Sequence, residues 1–370
     1  MKELRIKDIC DKGSSNLKQK DVEGKNGLYP VYGASGIISH IDTYHQEDNY
    51  IAIVKDGSGV GRVTFMPAKS SVIGTMQYIL PKEGFNINYI GYCLQSLDLS
   101  KYKQGAAIPH IYFRDYGERI VKVTEDVDEQ QSIVDCLDSA FAKIDAMKAN
   151  TEKALNEAKA LFQASLKEML EPKEGWEEKK LMDIGELKNG INFNKNESGY
   201  NVHILGVGDF GKLFLIDATD CLQTISLNSN PSEEYILKNE DIVFVRSNGN
   251  KNLVGRCVLI HVGEEPCSFS GFCIRFRKST NEVDACYLTH FLKTENARKK
   301  LVGNGANISN LNQKVLNEFV VSYPSISEQQ SIVATLDSLK SKVDRLQENF
   351  EKISQECDAL KQAILRQVFE

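Results

Sequence analysis

No stretch of this sequence approaches the roughly 18–20 consecutive apolar residues that a membrane-spanning helix needs, so no membrane segment is expected. The opening decapeptide MKELRIKDIC lacks the apolar core of a secretory signal, and the chain is expected to work in the cytoplasm. Cysteine is present but never as C-x-x-C. Nine residues, Cys10, Cys93, Cys136, Cys221, Cys257, Cys267, Cys273, Cys286 and Cys357, are scattered singly, which points to reduced, mostly buried thiols. The six histidines show no metal spacing, so no metal site is expected. Gly57-Ser-Gly-Val-Gly61 lacks the Lys-Ser/Thr of a phosphate-binding loop and reads as a hairpin. Gly206-Val-Gly-Asp-Phe-Gly211 matches G-x-G-x-x-G, but strand-like Lys212–Ile216 follows where a dinucleotide site needs a helix, so a tight turn is expected. Asp209-Phe-Gly211 has no kinase companions. There is no Asn-Pro-Pro-Tyr/Phe methyltransferase motif and no nuclease or helicase core. A catalytic constellation is therefore not expected, nor a cofactor held by this chain.

What is present is a repeat. Asp128–Glu171 and Ser327–Glu370, aligned without a gap, are identical at about half their positions, and both carry Glu-Gln-Gln-Ser-Ile-Val near their start. Each follows a globular stretch of very different sequence, so the molecule reads as a duplication: two heads and two long helices. The boundaries predicted are heads at 1–127 and 172–326 and helices at 128–171 and 327–370.

Charge divides along the same lines. Residues 1–127 hold 16 Lys+Arg against 15 Asp+Glu, and residues 172–326 hold 18 against 19; the two helices hold 5 against 9 and 6 against 8. The acid excess thus lies on the helices, and the nearly neutral heads supply no strong phosphate-binding field of their own.

In the first head, strands are predicted around Leu28–Gly36, at Tyr50–Val54, Gly61–Met66 and Ile120–Val123, with a short helix at Asn88–Leu97. In the second, strands are predicted at Asn201–Leu205, Lys212–Ile216, Asp241–Arg246, Arg256–His261, Phe272–Phe276 and Phe319–Pro324, with a helix at Asp284–Thr294. The heads share a frame at their edges, while their middles do not align. The fold class is α+β, a mixed α/β chain with an internal pseudo-two-fold.

The long helices are expected to start with Asp128 capping and Gln131 answering, and again with Ser327 and Gln330; Pro172 stops the first. Helices of this length need a partner surface. On the second, Leu336, Val343, Phe350, Cys357 and Ile364 recur every seven residues, interleaved with Leu339, Leu346, Ile353 and Leu360. The equivalent positions of the first are smaller: Leu137, Ile144, Thr151, Ala158 and Ser165, with Ala140, Met147, Ala154 and Leu161. The two seams are expected to pair within one chain as an antiparallel coiled coil, which places the heads at opposite ends.

Two divergent heads, each followed by such a helix, resemble the specificity subunit of type I restriction–modification systems. The resemblance rests on Tyr29-Pro-Val-Tyr-Gly33 with Ser35-Gly36, Asp241-Ile-Val-Phe-Val-Arg-Ser-Asn-Gly-Asn250, Gly255-Arg256, Gly305-Ala306 with Ile308, and the helix starts at Glu129 and Glu328. One departure is that Thr124–Val127 lacks the proline that Tyr323-Pro324 keeps. The resemblance implies a non-catalytic reader of double-stranded DNA. Each head is then a target-recognition domain for one half of a bipartite site, and the helix pair is the spacer. It further implies two methyltransferase subunits that bind S-adenosylmethionine, and restriction subunits that use ATP and Mg²⁺.

Base reading needs polar or cationic side chains on loops that reach a groove. Candidates in the first head are Ser58, Arg62, Lys69, Lys103, Gln104, His110 and Arg114. In the second they are Arg246, Ser247, Asn248, Asn250, Lys251 and Asn252, with Asn304, Asn307 and Asn310 near another turn. Arg246 stands out because it ends an apolar strand and begins a loop. Two other classes compete: a coiled-coil scaffold with protein-binding heads, and a fused restriction enzyme acting alone. The first leaves two unlike heads on one frame unexplained; the second lacks catalytic motifs.

Overall fold

The computed structural model describes residues 1–105, 108–194, 196–211, 213–302 and 310–369. They form two compact units, Met1–Ala154 with Glu348–Glu370, and Leu155–Gln347, so each head keeps part of both long helices.

In the first unit β1 (Lys2–Arg5) pairs antiparallel with a strand at Ile120–Val123, joining the start of the head to its end. Between them run β2 (Cys10–Ser14), β3 (Tyr29–Gly33), β4 (Gly36–Ile41), β5 (Tyr50–Val54), β6 (Val63–Met66), β7 (Ser71–Val72) and β8 (Met76–Pro81), with Ile120–Val123 as β9. One sheet has the order β2-β8-β5-β6 and a second the order β4-β3-β7. Strand β5 is apolar throughout because both its faces are covered. Ile51 and Ile53 join the helix Ile87–Ser96 in one core, while Tyr50, Ala52 and Val54 enter another.

The second unit repeats this plan. A closing pair, β10 (Glu177–Lys180) with Val320–Tyr323, frames β11 (Gly185–Asn189), β12 (Tyr200–Leu205), β13 (Leu215–Asp217), β14 (Thr224–Leu227), β15 (Ile242–Val245), β16 (Cys257–His261), β17 (Cys267–Phe269) and β18 (Cys273–Lys278); Val320–Tyr323 is β19. The sheets are β11-β18-β15-β16-β13 and β14-β12-β17. The order is that of the first head with one strand, β13, added at an edge. Strand β15 divides its residues as β5 does, Ile242 and Phe244 to one core, Val243 and Val245 to another. The middles of the heads therefore correspond, contrary to the sequence comparison. What they share is which residues face inward, and many apolar sequences satisfy that constraint.

The long helices span Val127–Leu170 and Ile326–Phe369, 44 residues each. Their caps lie two residues earlier than the sequence suggests. Asp126 Oδ1 accepts from the amides of Asp128 (3.0 Å) and Glu129 (3.2 Å), and Ser325 Oγ accepts from that of Glu328 (3.4 Å). Asp128 and Ser327 already stand inside the first turn, where their amides need acceptors.

The repeated glutamines have a different task. Gln130 and Gln329 are fully buried. Gln130 Oε1 accepts from the amide of Asn86 (2.7 Å), and its Nε2 donates to the carbonyls of Gly84 and Thr124 (both 3.0 Å). Gln329 does the same with the amide of Asp284 and the carbonyls of Glu282 and Pro324, all at 2.8 Å. Asn86 and Asp284 cap the helices Ile87–Ser96 and Ala285–Lys293. Each glutamine thus ties the first turn of a long helix to the first turn of its head's own helix. A buried tyrosine adds a second tie: Tyr89 Oη accepts from the Thr124 amide (3.1 Å), and Tyr287 Oη donates to the Ser322 carbonyl (3.0 Å). Burial pushes both phenols above the usual tyrosine range.

Within each unit the long helices run antiparallel. In the first, Asp145 meets Lys361 (2.5 Å) and Lys148 meets Asp358 (3.3 Å), three residues up one helix for three down the other. In the second, Lys159 donates to Gln347 (2.7 Å), and Leu170 shares a core with Ile332 and Leu336. Leu137, Ile144, Leu336 and Val343 are buried, and Leu339, Phe350 and Ile353 half-buried. Leu161, Leu346 and Leu360 are not in the seam; they are 61%, 36% and 47% exposed. On the first helix the row flanking the seven-residue repeat stands four residues after it, with Phe141 and Leu155 buried and Phe162 half-buried; on the second, Leu339 and Ile353 at +3 and Lys361 at +4 are all half-buried. Rows at +3 and +4 lie on opposite sides of the repeat, and a single partner helix covers one side.

Gln130→Ala or Gln329→Ala is expected to cost about 2–4 kcal/mol, since each leaves a buried amide and carbonyls unpaired; Gln330→Ala, on an exposed side chain, stays within about 0.5 kcal/mol. Denaturant unfolding measures both, and equal costs would refute the clamp. By the same assay Leu336→Ala is expected to cost about 2–5 kcal/mol and Leu346→Ala under about 1 kcal/mol.

Candidate nucleic-acid interface

Beyond β5 the chain turns through Gly57, Gly59 and Gly61, all at positive φ, and returns as β6. The hairpin closes with Gly61 N to Val54 O (2.8 Å) and Val54 N to Arg62 O (3.0 Å). This is the hairpin expected from the glycine spacing. A distant stretch is bonded to it: Gly57 N donates to Pro109 O (2.8 Å) and Ile111 N to Lys55 O (2.9 Å). Gln104 and His110 exchange backbone hydrogen bonds at 2.8 and 2.9 Å, and buried Ile111 pins the segment.

Five candidates thereby gather around one loop cluster. Ser58 and Lys103 are exposed, Gln104 Nε2 donates to Asp115 (2.8 Å), His110 meets the Tyr112 ring edge-on at 5.0 Å, and Arg114 lies 4.6 Å over the same ring. Arg62, at the base of the hairpin, donates to the Ala34 carbonyl. Lys69 stands apart, beyond the other end of β6, paired with Glu47 at 3.7 Å.

The second head repeats three of these bonds. Gly255 N donates to Val245 O (2.9 Å), Val245 N to Arg256 O (2.8 Å), and Leu311 N to Arg246 O (2.7 Å). Bridges Asp56–His110 and Ser247–Asn310 correspond as well. Arg246 is half-buried, with its amide on Phe272 O (2.8 Å) and its guanidinium on Gly271 O (3.3 Å). Asn248 and Asn250 fold the loop by accepting the amides two residues on, those of Asn250 (2.7 Å) and Asn252 (3.1 Å). Lys251 lies in a short turn at Lys251–Leu253; its side chain, like Asn304 and Asn307, lies outside the described residues. Asn310 is exposed beside Ser247. The G-x-G-x-x-G stretch is a single 3₁₀ turn, Val207–Asp209, with Asp209 accepting the Gly206 amide at 2.8 Å.

Two residues escape the sequence reading. Lys55 is the counterpart of Arg246, since both follow the central strand and offer their carbonyl to the returning segment; its ammonium meets Asp56 at 2.5 Å. The available signal was its place directly after an apolar strand. Phe272, 62% exposed, stands next to Arg246 and lacked any signal beyond its turn.

A family model described as the type I restriction modification DNA specificity domain matches residues 1–157 and 173–355. The chain belongs to this family. It is 33% identical over 135 residues to the StySPI specificity subunit of Salmonella potsdam, covering 36% of this chain and 29% of that one. It is 25% identical over 258 residues to the EcoKI specificity subunit of Escherichia coli, covering 65% of this chain and 55% of that one. The chain thus spans less than two thirds of the length of either relative. Among solved structures, a chain from work on complex assembly and conformational transition of the type I R-M system superposes with a TM-score of 0.71 at 15% identity, over 98% of this chain and 96% of that one. That likeness establishes the family's fold across both heads and both long helices.

Proposed function

We propose that this chain is the DNA-reading, non-catalytic subunit of a type I restriction–modification complex. Residues 1–127 read one half of an asymmetric bipartite site and residues 172–326 read the other; the helices at 128–171 and 327–370 space them. The observation that carries this reading is the duplicated loop device. Two heads hold a loop in the same way on the same strand, yet fill it differently, with Lys55-Asp-Gly-Ser-Gly59 in one and Arg246-Ser-Asn-Gly-Asn-Lys-Asn252 in the other. A common mount with unlike loops suits one asymmetric site better than a palindrome.

The near-neutral heads assign part of the phosphate attraction to partner proteins. Two methyltransferase subunits carrying S-adenosylmethionine, and restriction subunits using ATP and Mg²⁺, are the proposed partners, acting in the cytoplasm on double-stranded DNA. The row Met147, Ala154 and Leu161, left exposed by the helix pairing, supports docking of such a partner along the first long helix.

Methylome sequencing with and without the gene is expected to reveal a split, asymmetric adenine-methylation motif that vanishes with the gene; no change would favour a protein-binding scaffold. Arg246→Ala is expected to relax or abolish only one half of that motif, the loss of one good base contact being worth about 1–3 kcal/mol. Unchanged methylation would remove Arg246 from the reading surface. Replacing residues 172–326 by another head should alter one half alone, and a change in both would overturn the two-reader assignment.

A further inference from the structure

One cavity of the second head, about 230 Å³, is lined by three cations, Arg256, Lys293 and Arg298, together with apolar Phe210, Leu213 and Leu292. Among the described residues no carboxylate lines it. The cations are held by main-chain carbonyls. Arg256 donates to Asn252 O (3.2 Å) and Gly211 O (2.7 Å), Lys293 to Leu213 O and Cys257 O (both 2.7 Å), and Arg298 to Asn252 O (3.1 Å). Arg298 Nε is shielded from solvent without an acceptor among the described residues. Burial, and then Arg256 and Arg298 as like charges, hold the Lys293 ammonium below its usual range.

The other head acts as an internal control for whether the fold itself needs this charge. Lys293 stands nine residues after the helix cap Asp284, and Gln95 nine after the cap Asn86. Gln95 Nε2 donates to Val63 O (3.3 Å), the first carbonyl of β6, as Lys293 does to Cys257 O, the first of β16. Arg62 and Arg256 likewise both donate to the loop after the third or twelfth strand. A neutral amide therefore makes the tie to that first carbonyl, while the second bond of Lys293, to Leu213 O, lies just ahead of the strand β13 that the first head lacks. The tie that the heads share does not require the extra positive charge of the second head, and clustering that charge in a partly desolvated cavity costs free energy until an anion enters.

We infer that Arg256, Lys293 and Arg298 form a phosphate-binding site on the second head, filled by a phosphate of the DNA backbone or by a small phosphorylated molecule. Guanidinium donors in a fixed fork suit phosphate oxygens, and an ammonium adds a point charge. The site adjoins the proposed reading loop, because Asn252 closes that loop and its carbonyl holds both arginines. The DNA arm of this inference rests on the proposed function; the site itself does not.

The test uses the full chain and its Lys293→Gln and Lys293→Gln/Arg298→Gln variants, with Arg298→Lys retaining the charge. Lys293→Gln copies the tie of the first head, so a native melting temperature is expected. With a mixed-sequence DNA duplex, the slope of log affinity against log salt should shrink by about 1 in the double variant and hold in Arg298→Lys. Without DNA, inorganic phosphate should raise the melting temperature of the parent chain more than that of the variants. A smaller slope identifies a backbone phosphate as the occupant; an unchanged slope with loss of the phosphate effect identifies a small phosphorylated molecule. If neither readout differs between the parent and a folded variant, the site is refuted. If the parent binds no duplex at all, the DNA reading fails, and the phosphate arm still decides the site.

Discussion

The interaction on which the rest of this molecule depends is a buried amide made twice. Gln130 and Gln329 present all of their useful hydrogen-bonding capacity to main-chain groups: one oxygen to an amide, one nitrogen to two carbonyls. A buried amide left unpaired costs more than a paired one contributes, so the arrangement admits little slack. It therefore fixes where each long helix begins and how that helix is rotated about its axis. Gln130 stands seven residues before Leu137 and Gln329 seven before Leu336, so the clamp is also the first residue of each seam. Rotation set at the head propagates along the helix at 3.6 residues per turn, and it selects Val134, Leu137, Phe141 and Ile144 as the face that joins the core.

This explains what was legible in the sequence and what was not. The Glu-Gln-Gln-Ser-Ile-Val repeat announced two equivalent helices, and the structure has helices at Val127–Leu170 and Ile326–Phe369. The same letters misled on capping, because Asp126 and Ser325 lie outside the repeat, where the lead-ins differ. Thr124-Glu125-Asp126 has one residue more than Pro324-Ser325, and the clamp takes its second carbonyl from Thr124 in one case and Pro324 in the other. On the first helix the flanking row of the seam was ambiguous for a geometric reason: apolar residues occur at both +3 and +4, and only the rotation set by the glutamine decides between them. The strands of the second head were readable from apolar runs such as Ile242–Val245. Their correspondence with the first head was not, since inward-facing positions conserve volume and polarity without conserving identity.

At the loops the sequence carried less. Arg246 could be singled out because it follows an apolar strand, and Lys55 has the same place, but the equivalence appears only when Leu311 and Ile111 are seen to donate to their carbonyls. Such bonds link residues far apart in the chain and leave no periodic trace. Once they are in view, the duplication becomes an experiment already performed: two heads solve the same folding problem, and any feature found in one alone is free to serve something else. Gln95 and Lys293 differ in this sense, as do the added edge strand Leu215–Asp217 and the exposed Phe272.

The same reasoning applies to the surplus apolar row of the long helices. A helix that met only its antiparallel partner would need one stripe, and polar residues at +3 would make it more soluble. Met147 and Leu161 on one helix, and Leu346 and Leu360 on the other, lie outside that stripe and remain substantially exposed. Single exposed apolar residues are ordinary, but these recur at multiples of seven residues along each helix, and the acidic excess of both helices surrounds them with charge. A second stripe beside the first widens the apolar face beyond what one partner helix covers. The helices therefore have a paired side and a second side whose apolar residues repeat along the chain without a partner helix over them.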